Sequence, residues 1–421
     1  MKRTFALFLL LAGACAAPPP ASPRHTEAPA AAPSEPEVSE SFGESKPEAV
    51  GLDSRALTRL TEWVRDNDVP IFSILISRDG KLAYELYTSG LDRNDAHYVM
   101  SATKSVTSAL VGIAVDAKLL PGPETPMSDV LPAALFSSDE ERARFARVTL
   151  KDVLGMSALD AQVPPHEKTP EAHARQRAFL ASANRARFAV SQPLIPEPGV
   201  SFQYTDITPY LAAAAVSYAS RETLFEFAEQ RLFGPLGFRN EEWMHEDRAG
   251  IDNGAYGLRL RPIDMQKFGV LYLDGGTWNG RPILSRAWVE QSFSPWIRSK
   301  PEARAPNYGW YFWTNRFAGS TAHVANGWKG QRIAIVPTER LVVTMTGAVE
   351  QDEDGLFRSI MERFVLPAVK PAPLPPDPEG DARGLERLAE VHAAMRVAPG
   401  LEPRMVPGAA RKEVHHSLAP L

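Results

Sequence analysis

Two pairs of apolar, strand-like runs stand near the two ends of the central part of the chain. Residues 72–78 and 81–87 form the first pair, and the Asp79-Gly80 dipeptide between them is typical of a tight hairpin turn. Residues 331–336 and 341–346 form the second pair, again with a short turn between them. Each pair is therefore predicted to be two β-strands joined by a turn.

Apolar residues at helical spacing occur around and between these strands. A helix is predicted from Asp53 or Ser54 to about Asp66, before the first strand. From Ser101 to about Leu119, apolar residues recur every three or four positions, which predicts a second helix. Further helical segments are expected at 221–232, after residue 262, at 355–369 and at 382–397.

The order of these elements predicts an α/β (α+β) fold. Strands at both ends of the core, with helices between them, indicate a mixed antiparallel sheet with flanking helices and an inserted helical subdomain. The folded domain is expected to cover residues 48–368. Residues 369–421 form a Pro-rich C-terminal extension to which the sequence assigns no role.

Composition excludes several classes of partner. The chain has 421 residues, of which 44% are hydrophobic and 23% charged, as in a globular enzyme of one or two domains. The net charge is −5 and no basic face is apparent, so nucleic acid is not an expected partner. Cys15 is the one cysteine, which excludes an intrachain disulfide and a cysteine metal cluster.

The N-terminus has the layout of an export signal. Lys2 and Arg3 precede a short apolar run, and small residues then lead to Cys15. This segment, residues 1–15, resembles a bacterial lipoprotein signal, which implies lipidation of Cys15; ordinary cleavage before an incidental cysteine is the alternative. Residues 16–47 are rich in Ala, Pro, Ser and Glu and predict a disordered tether. We therefore expect an exported protein of the bacterial cell envelope, held at a membrane if Cys15 is modified.

One local motif points to nucleophilic catalysis. The chain lacks a Gly-x-Ser-x-Gly elbow, a His-Glu-x-x-His zinc site and a Walker phosphate loop, and no metal or cofactor is predicted. It does contain Ser101-x-x-Lys104 at the start of a predicted helix, where the amine would lie one turn from the hydroxyl. Lys104 must be uncharged to act as a base, and lowering a lysine pKa from about 10.4 to near 7 costs on the order of 4–5 kcal/mol.

Three segments of the chain resemble the penicillin-recognising serine hydrolases. These are residues 98–105 with the small-residue helix that follows, residues 148–157 and residues 257–269. The superfamily includes class C β-lactamases, D-amino-acid carboxypeptidases, family VIII esterases and 6-aminohexanoate-dimer hydrolases, and the last branch is the most similar. The resemblance covers about residues 48–368 and implies a β-lactamase/transpeptidase-like fold with a serine–lysine–tyrosine catalytic group.

Tyr204 stands where this family has its Tyr-x-Asn or Tyr-x-Ser motif. The resemblance implies that Ser101 is the nucleophile, Lys104 its base and Tyr204 the proton relay to the leaving group and the deacylating water. A tyrosine that anchors a subdomain seam is the alternative reading of Tyr204. Asp206 departs from the family pattern because a carboxylate cannot donate a hydrogen bond as an amide does, although its position implies substrate binding.

A third motif begins at Gly327 and resembles the Gly-x-x-Gly-Gln form of the nylon-hydrolase and esterase branches. The resemblance implies that the Trp328 and Ser101 N–H groups form an oxyanion hole and that Gly327 and Gly330 contact substrate. A plain turn between strands is the alternative, and His323 is expected to be a sheet residue. The family's Lys-Thr-Gly cation is absent, which disfavours recognition of a β-lactam carboxylate.

Together these motifs imply a serine hydrolase that forms an acyl-enzyme on an ester, a short linear amide or a peptide substrate. A D-amino-acid carboxypeptidase or β-lactamase-type cell-wall enzyme is the alternative within enzymes. A substrate-binding or sensor lipoprotein without turnover is the alternative outside them. The joint presence of Ser101, Lys104 and Tyr204 argues against a pure binding protein, which has no need of all three.

Overall fold

The structure is a computed structural model that describes residues 42–164, 166–244, 247–295 and 307–394. The predicted export signal, Cys15 and the tether up to residue 41 lie outside the described residues. The strands in the described ranges are β1 (Ile71–Arg78), β2 (Lys81–Tyr87), β3 (His97–Tyr98), β4 (Glu242–Trp243), β5 (Leu258–Leu260), β6 (Thr277–Trp278), β7 (Arg281–Pro282), β8 (Trp313–Phe317), β9 (Ser320–Gly327), β10 (Gln331–Val336) and β11 (Leu341–Gly347).

The helices in the same ranges are α1 (Ser54–Asp66), α2 (Thr103–Asp116), α3 (Met127–Val130), α4 (Asp139–Phe145), α5 (Leu150–Leu154), α6 (Pro170–Ala181), α7 (Arg185–Ser191), α8 (Thr208–Ser220), α9 (Leu224–Ala228), α10 (Gly234–Leu236), α11 (Pro262–Leu273), α12 (Arg286–Phe293), α13 (Glu353–Ile360), α14 (Leu366–Ala368) and α15 (Pro378–Ala394). Turns of π-helix join α9 to α10 and α13 to α14. None of the helices in the described ranges combines the length and the apolar character that crossing a bilayer requires.

The predicted hairpin of β1 and β2 is confirmed. Arg78 pairs with Lys81, so the loop between the strands has two residues. Asp79 and Gly80 both have positive φ, 49° and 72°. A two-residue hairpin turn needs that backbone at both central positions, and Asp-Gly is a preferred sequence for it.

The main sheet joins the two ends of the domain. Its six strands lie in the order β2-β1-β11-β10-β9-β8, and every neighbouring pair is antiparallel. Because β1 pairs with β11, the N-terminal hairpin and the C-terminal strands form one sheet, with the helical region inserted between them. The predicted fold class is therefore confirmed.

Both faces of the sheet are covered by helices. Leu75 of β1 belongs to the larger apolar cluster, which includes residues of α2, α8 and α11, whereas its neighbours Ile74 and Ile76 belong to a second cluster with α1 and α13. Successive side chains of a strand point to opposite faces, so the two clusters lie on opposite sides of the sheet. Burial of both faces explains why these strands read as nearly continuous apolar runs.

Helix α2 is buried along almost its whole length. Every residue from Thr103 to Ala114 is buried, including the polar ones. The Ser105 hydroxyl donates to the Tyr311 carbonyl at 2.5 Å, and the Thr107 hydroxyl donates to the Gly254 carbonyl at 2.9 Å. The polar face of α2 therefore fixes the helix against neighbouring loops.

The folded part extends beyond both predicted limits. Residues 42–47 lie against β2: the Ser45 N–H donates to the Leu82 carbonyl, and the Leu82 N–H donates to the Gly43 carbonyl, both at 2.8 Å. Phe42 is buried as well. Residues 42–47, predicted as the end of the tether, are therefore ordered, because a segment poor in apolar residues can still pair with a sheet edge.

The C-terminal extension contributes α15, which packs on α1. Val391 is fully buried, and the ion pair between Arg65 and Glu390 joins the two helices at 2.7 Å. Gly384 allows close contact, since a Cβ at this position would lie 3.2 Å from the Thr58 hydroxyl. The extension thus completes the layer of helices on one face of the sheet.

Candidate active site

The serine predicted to be the nucleophile lies in a short 3-10 turn, Met100–Ala102, that leads directly into α2. Met100, the residue before it, has a φ of 50°, a region that non-glycine residues rarely adopt. Strained backbone of this kind persists where packing holds it, often at functional sites. The turn places Ser101 at the N-terminal end of α2, where the helix dipole favours negative charge.

Lys104 connects the serine to the helical region. Its Nζ lies 2.8 Å from Ser101 Oγ, 2.7 Å from Asp206 Oδ1 and 3.0 Å from the Ala255 carbonyl oxygen. The side chain is only 1% exposed. The contact between serine and lysine that the spacing predicts is therefore present, and all three donors of the ammonium group have an acceptor.

The charge state of Lys104 differs from the expectation. Burial by itself disfavours the charged amine, but the adjacent Asp206 carboxylate and the Tyr204 side chain outweigh it, so the pKa of Lys104 is raised above its ordinary value. A neutral Lys104 would need donor or positively charged neighbours. The structure instead places a carboxylate there, which favours the ammonium form of Lys104.

Tyr204 lies beside the lysine on the loop between α7 and α8. The Lys104 Nζ lies over the Tyr204 ring, 4.9 Å from the ring centre. The loop is fixed by the Thr205 hydroxyl, which donates to the Ala161 carbonyl at 2.8 Å. The structure thus brings together the serine, lysine and tyrosine that the three sequence motifs single out.

Tyr204 packs against three other aromatic rings, and together they form an aromatic wall that consists of Phe202, Tyr204, Tyr308 and Trp313. The ring centres of the other three lie 5.8–6.5 Å from that of Tyr204. Tyr308 is buried, whereas Phe202, Tyr204 and Trp313 are half-buried. The wall therefore presents apolar ring surface next to the hydroxyl of the catalytic group.

Two groups near the catalytic group were missed by the sequence analysis. The Ala255 carbonyl accepts a hydrogen bond from Lys104, but a backbone acceptor leaves no signature in the side chains. The His166 ring packs edge-on against Tyr204, with ring centres 4.7 Å apart. Partial desolvation lowers the pKa of His166, which favours the uncharged ring at neutral pH. His166 is a single histidine in a loop and belongs to no sequence motif, so nothing in the sequence indicated its position beside Tyr204.

The end of β9 lies against the backbone that precedes Ser101. A Cβ at Gly327 would be 2.2 Å from the Val99 carbonyl oxygen and 3.2 Å from Met100 Cβ. Only a glycine allows such an approach. The Gly327 carbonyl is itself held by the buried Arg332, whose Nη1 donates to it at 2.7 Å.

The turn after β9 carries the remaining predicted residues. Trp328 follows Gly327 directly and is 56% exposed. Gly330 has a φ of 90°, and its N–H donates to a carboxylate oxygen of Glu353 at 2.6 Å. These contacts explain Gly330 as a turn residue, while the oxyanion role of Trp328 and the substrate contacts of both glycines stay predictions. His323 lies within β9 and stacks on Phe293, as expected of a sheet residue.

Comparison with models of protein families identifies one match, to the family described as β-lactamase, over residues 57–360. That range covers most of the chain and contains the whole catalytic group. The chain belongs to the β-lactamase family. The resemblance inferred from the three motifs is thereby confirmed, and this β-lactamase-family protein is classed as a serine hydrolase.

Individual relatives of this β-lactamase-family protein are distant. It is 23% identical to the 6-aminohexanoate-dimer hydrolase of Paenarthrobacter ureafaciens over 52% of this chain, and the match spans only 56% of that relative. A Bacillus anthracis structure that carries the description 6-aminohexanoate-dimer hydrolase aligns with a TM-score of 0.59 at 21% identity, covering 76% of this chain and 86% of that one. The structure of EstCE1, a hydrolase with promiscuous acyltransferase activity, aligns with a TM-score of 0.57 at 14% identity, covering 73% of this chain and 98% of that one. At these identities the structures support the fold.

Proposed function

We propose that the protein hydrolyses an ester or a short linear amide through an acyl-enzyme on Ser101. The observation that carries the proposal is the 2.8 Å contact between the buried Lys104 Nζ and Ser101 Oγ, beside the half-buried Tyr204. A serine hydroxyl is a poor nucleophile until a neighbouring base takes its proton. Lys104 is in position to do so once it has lost its own extra proton.

Acylation begins when Ser101 Oγ bonds to the substrate carbonyl carbon and its proton passes to the Lys104 amine. The carbonyl oxygen becomes an oxyanion, for which the backbone N–H groups of Ser101 and Trp328 are the proposed donors. Loss of one such donor typically lowers kcat by about 10²–10³-fold. When the bond to the leaving group breaks, Tyr204 gives that group a proton and regains one from Lys104.

Deacylation repeats the same transfers with water. Tyr204 takes a proton from water and passes its own proton to Lys104 while the water oxygen bonds to the acyl carbon. Collapse of the second intermediate breaks the bond to Ser101, and Lys104 returns the proton to Oγ. The acid is released and each group regains its starting protonation.

The surroundings of the catalytic group favour an uncharged, partly apolar substrate. The aromatic wall and the exposed Trp328 ring offer apolar surface. Lys329, a cation in the turn after β9, forms an ion pair with Glu350 and lies over the Trp328 ring. Because its charge is already matched, it is a weak partner for a substrate carboxylate, which supports an ester or amide over a β-lactam.

Turnover of p-nitrophenyl butyrate and labelling by a fluorophosphonate probe test this proposal. We expect the protein to hydrolyse the ester and to react with the probe, and Ser101→Ala to lose both. Ser105→Ala is the matched control: it removes a buried hydroxyl one residue after Lys104, whose contact is the Tyr311 carbonyl, and should leave labelling intact.

Other outcomes separate the alternatives. Activity that survives in Ser101→Ala contradicts the proposal. Labelling without turnover of any ester supports a binding or sensor protein. Hydrolysis of D-amino-acid peptides or of the β-lactam nitrocefin in preference to esters supports the cell-wall alternative.

We also propose that the protein is exported and held at a membrane through a lipid on Cys15. The support is the order of basic, apolar and small residues before this cysteine. Metabolic labelling with a palmitate analogue is expected to mark the protein in bacterial cells, and Cys15→Ser should abolish the label. A labelled Cys15→Ser variant contradicts the anchor.

A further inference from the structure

Asp206 occupies the position at which the family motif has an uncharged asparagine or serine. Its Oδ1 lies 2.7 Å from the Lys104 Nζ, and its side chain is 18% exposed, whereas that of Lys104 is 1% exposed. An amide or hydroxyl oxygen could accept the same hydrogen bond, but it would bring no negative charge. The departure therefore adds a negative charge in contact with the lysine.

The three polar contacts of Lys104, one of them to a carboxylate, suit a charged ammonium group. Its three N–H donors point to Ser101 Oγ, Asp206 Oδ1 and the Ala255 carbonyl oxygen. An ammonium group has no lone pair, so in this charge state the lysine cannot take the serine proton. The resting site is therefore one proton away from the form that can react.

Other titratable groups around the lysine do not supply the same charge. The Tyr204 ring lies beside Lys104, with its centre 4.9 Å from Nζ, and His166 packs against that ring. Desolvation lowers the pKa of His166 and raises the pKa of Tyr308 and Tyr311, so these three groups are uncharged at neutral pH. Among these described neighbours, Asp206 is the group that brings an opposite charge into contact with the amine.

We propose that Asp206 is a positioning residue that holds Lys104 as an ammonium ion in the resting enzyme and thereby restricts rapid acylation to alkaline pH. This inference rests on the proposed function, because it assumes that the amine form of Lys104 activates Ser101. Asp206 acts through Lys104 and takes no part in bond formation. Replacing its carboxylate by a neutral acceptor lets the lysine lose its proton at lower pH.

The pH dependence of acylation tests the proposal. Rates are measured from about pH 6 to about pH 10, both as kcat/KM for p-nitrophenyl butyrate and as the second-order rate of fluorophosphonate labelling. The labelling rate needs only a reactive Ser101 and is independent of deacylation. The wild type should still gain rate on the alkaline side, whereas Asp206→Asn should reach its plateau at a pH lower by about one unit or more, the usual effect of losing an opposite charge in contact.

Two further variants make the test specific. Asp206→Ser removes the same charge with a different side chain, so it keeps the test available if Asp206→Asn does not fold, and it should shift the profile in the same direction. Asp160→Asn is the matched control, because Asp160 is an exposed carboxylate bound to Gln203, next to Tyr204, without contact to Lys104. Screened by solvent, its loss should move the profile by less than about 0.3 unit.

Each outcome decides one claim. Profiles of the Asp206 variants that coincide with the wild type overturn the inference, and so does an equal loss of rate at every pH, which indicates a structural role alone. A shift in Asp160→Asn as large as in Asp206→Asn also overturns it. Reaction of Ser101→Ala with the probe, measured in the same series, shows instead that the proposed function has failed.

Discussion

The close approach of β9 to the nucleophile turn predicts a severe effect of the smallest substitution, Gly327→Ala. The added Cβ would lie 2.2 Å from the Val99 carbonyl oxygen, whereas an ordinary contact is 3.4 Å or more. One of the two backbones must therefore move by about 1 Å, and misplacement of that size at a catalytic site can lower a rate by about 10²-fold. The strain should also reduce the free energy of unfolding by about 1–3 kcal/mol.

The two effects of Gly327→Ala are measured separately. Urea denaturation gives the free energy of unfolding, and p-nitrophenyl butyrate hydrolysis gives kcat/KM under conditions in which the variant is folded. Gly122→Ala is the control, because its Cβ would have no neighbour within 4 Å. We expect kcat/KM to fall about 100-fold in Gly327→Ala and to stay near wild type in the control. A folded Gly327→Ala variant with wild-type kcat/KM refutes the view that this contact positions the reacting groups.

Further substitutions probe the supports of the site and of the domain. Arg332→Met removes the 2.7 Å hydrogen bond to the Gly327 carbonyl. If the turn after β9 stabilises the transition state, kcat should fall about 10-fold or more with little change in KM. A change in KM alone contradicts that role. Val391→Asp places a carboxylate in the fully buried contact of α15. It should lower the free energy of unfolding by about 2 kcal/mol, and Tm by several degrees. The fluorophosphonate labelling of the folded protein should be unchanged. Loss of labelling without loss of stability contradicts a purely structural role of α15.

Local patterns predicted much of the fold because the physical cause lies within a few residues. The Asp79-Gly80 turn adopts the left-handed backbone that its residues favour, and this fixes the pairing of β1 and β2. The contact between Ser101 and Lys104 follows from helical spacing alone. Such features need no knowledge of the rest of the chain.

The remainder depends on contacts between distant parts of the sequence. The charged partner of Lys104 is Asp206, 102 residues later, a carboxylate that was predicted only as a substrate contact. The Ala255 carbonyl is invisible to any motif, since every residue has one. Residues 42–47 are ordered because their backbone pairs with the edge strand β2, and amino-acid composition does not reveal such pairing. The charge state of Lys104 and the limits of the folded domain therefore could not be predicted from the sequence.

The central claim is that Ser101 carries the acyl group during turnover. Wild-type protein is mixed with p-nitrophenyl butyrate, quenched in acid and digested, and its peptides are examined by mass spectrometry. The account predicts a butyryl group on the peptide that contains Ser101, no adduct in Ser101→Ala, and much slower formation in Lys104→Met. The claim is contradicted if another residue carries a butyryl group that forms and decays as fast as product appears, or if the adduct is unchanged in Ser101→Ala.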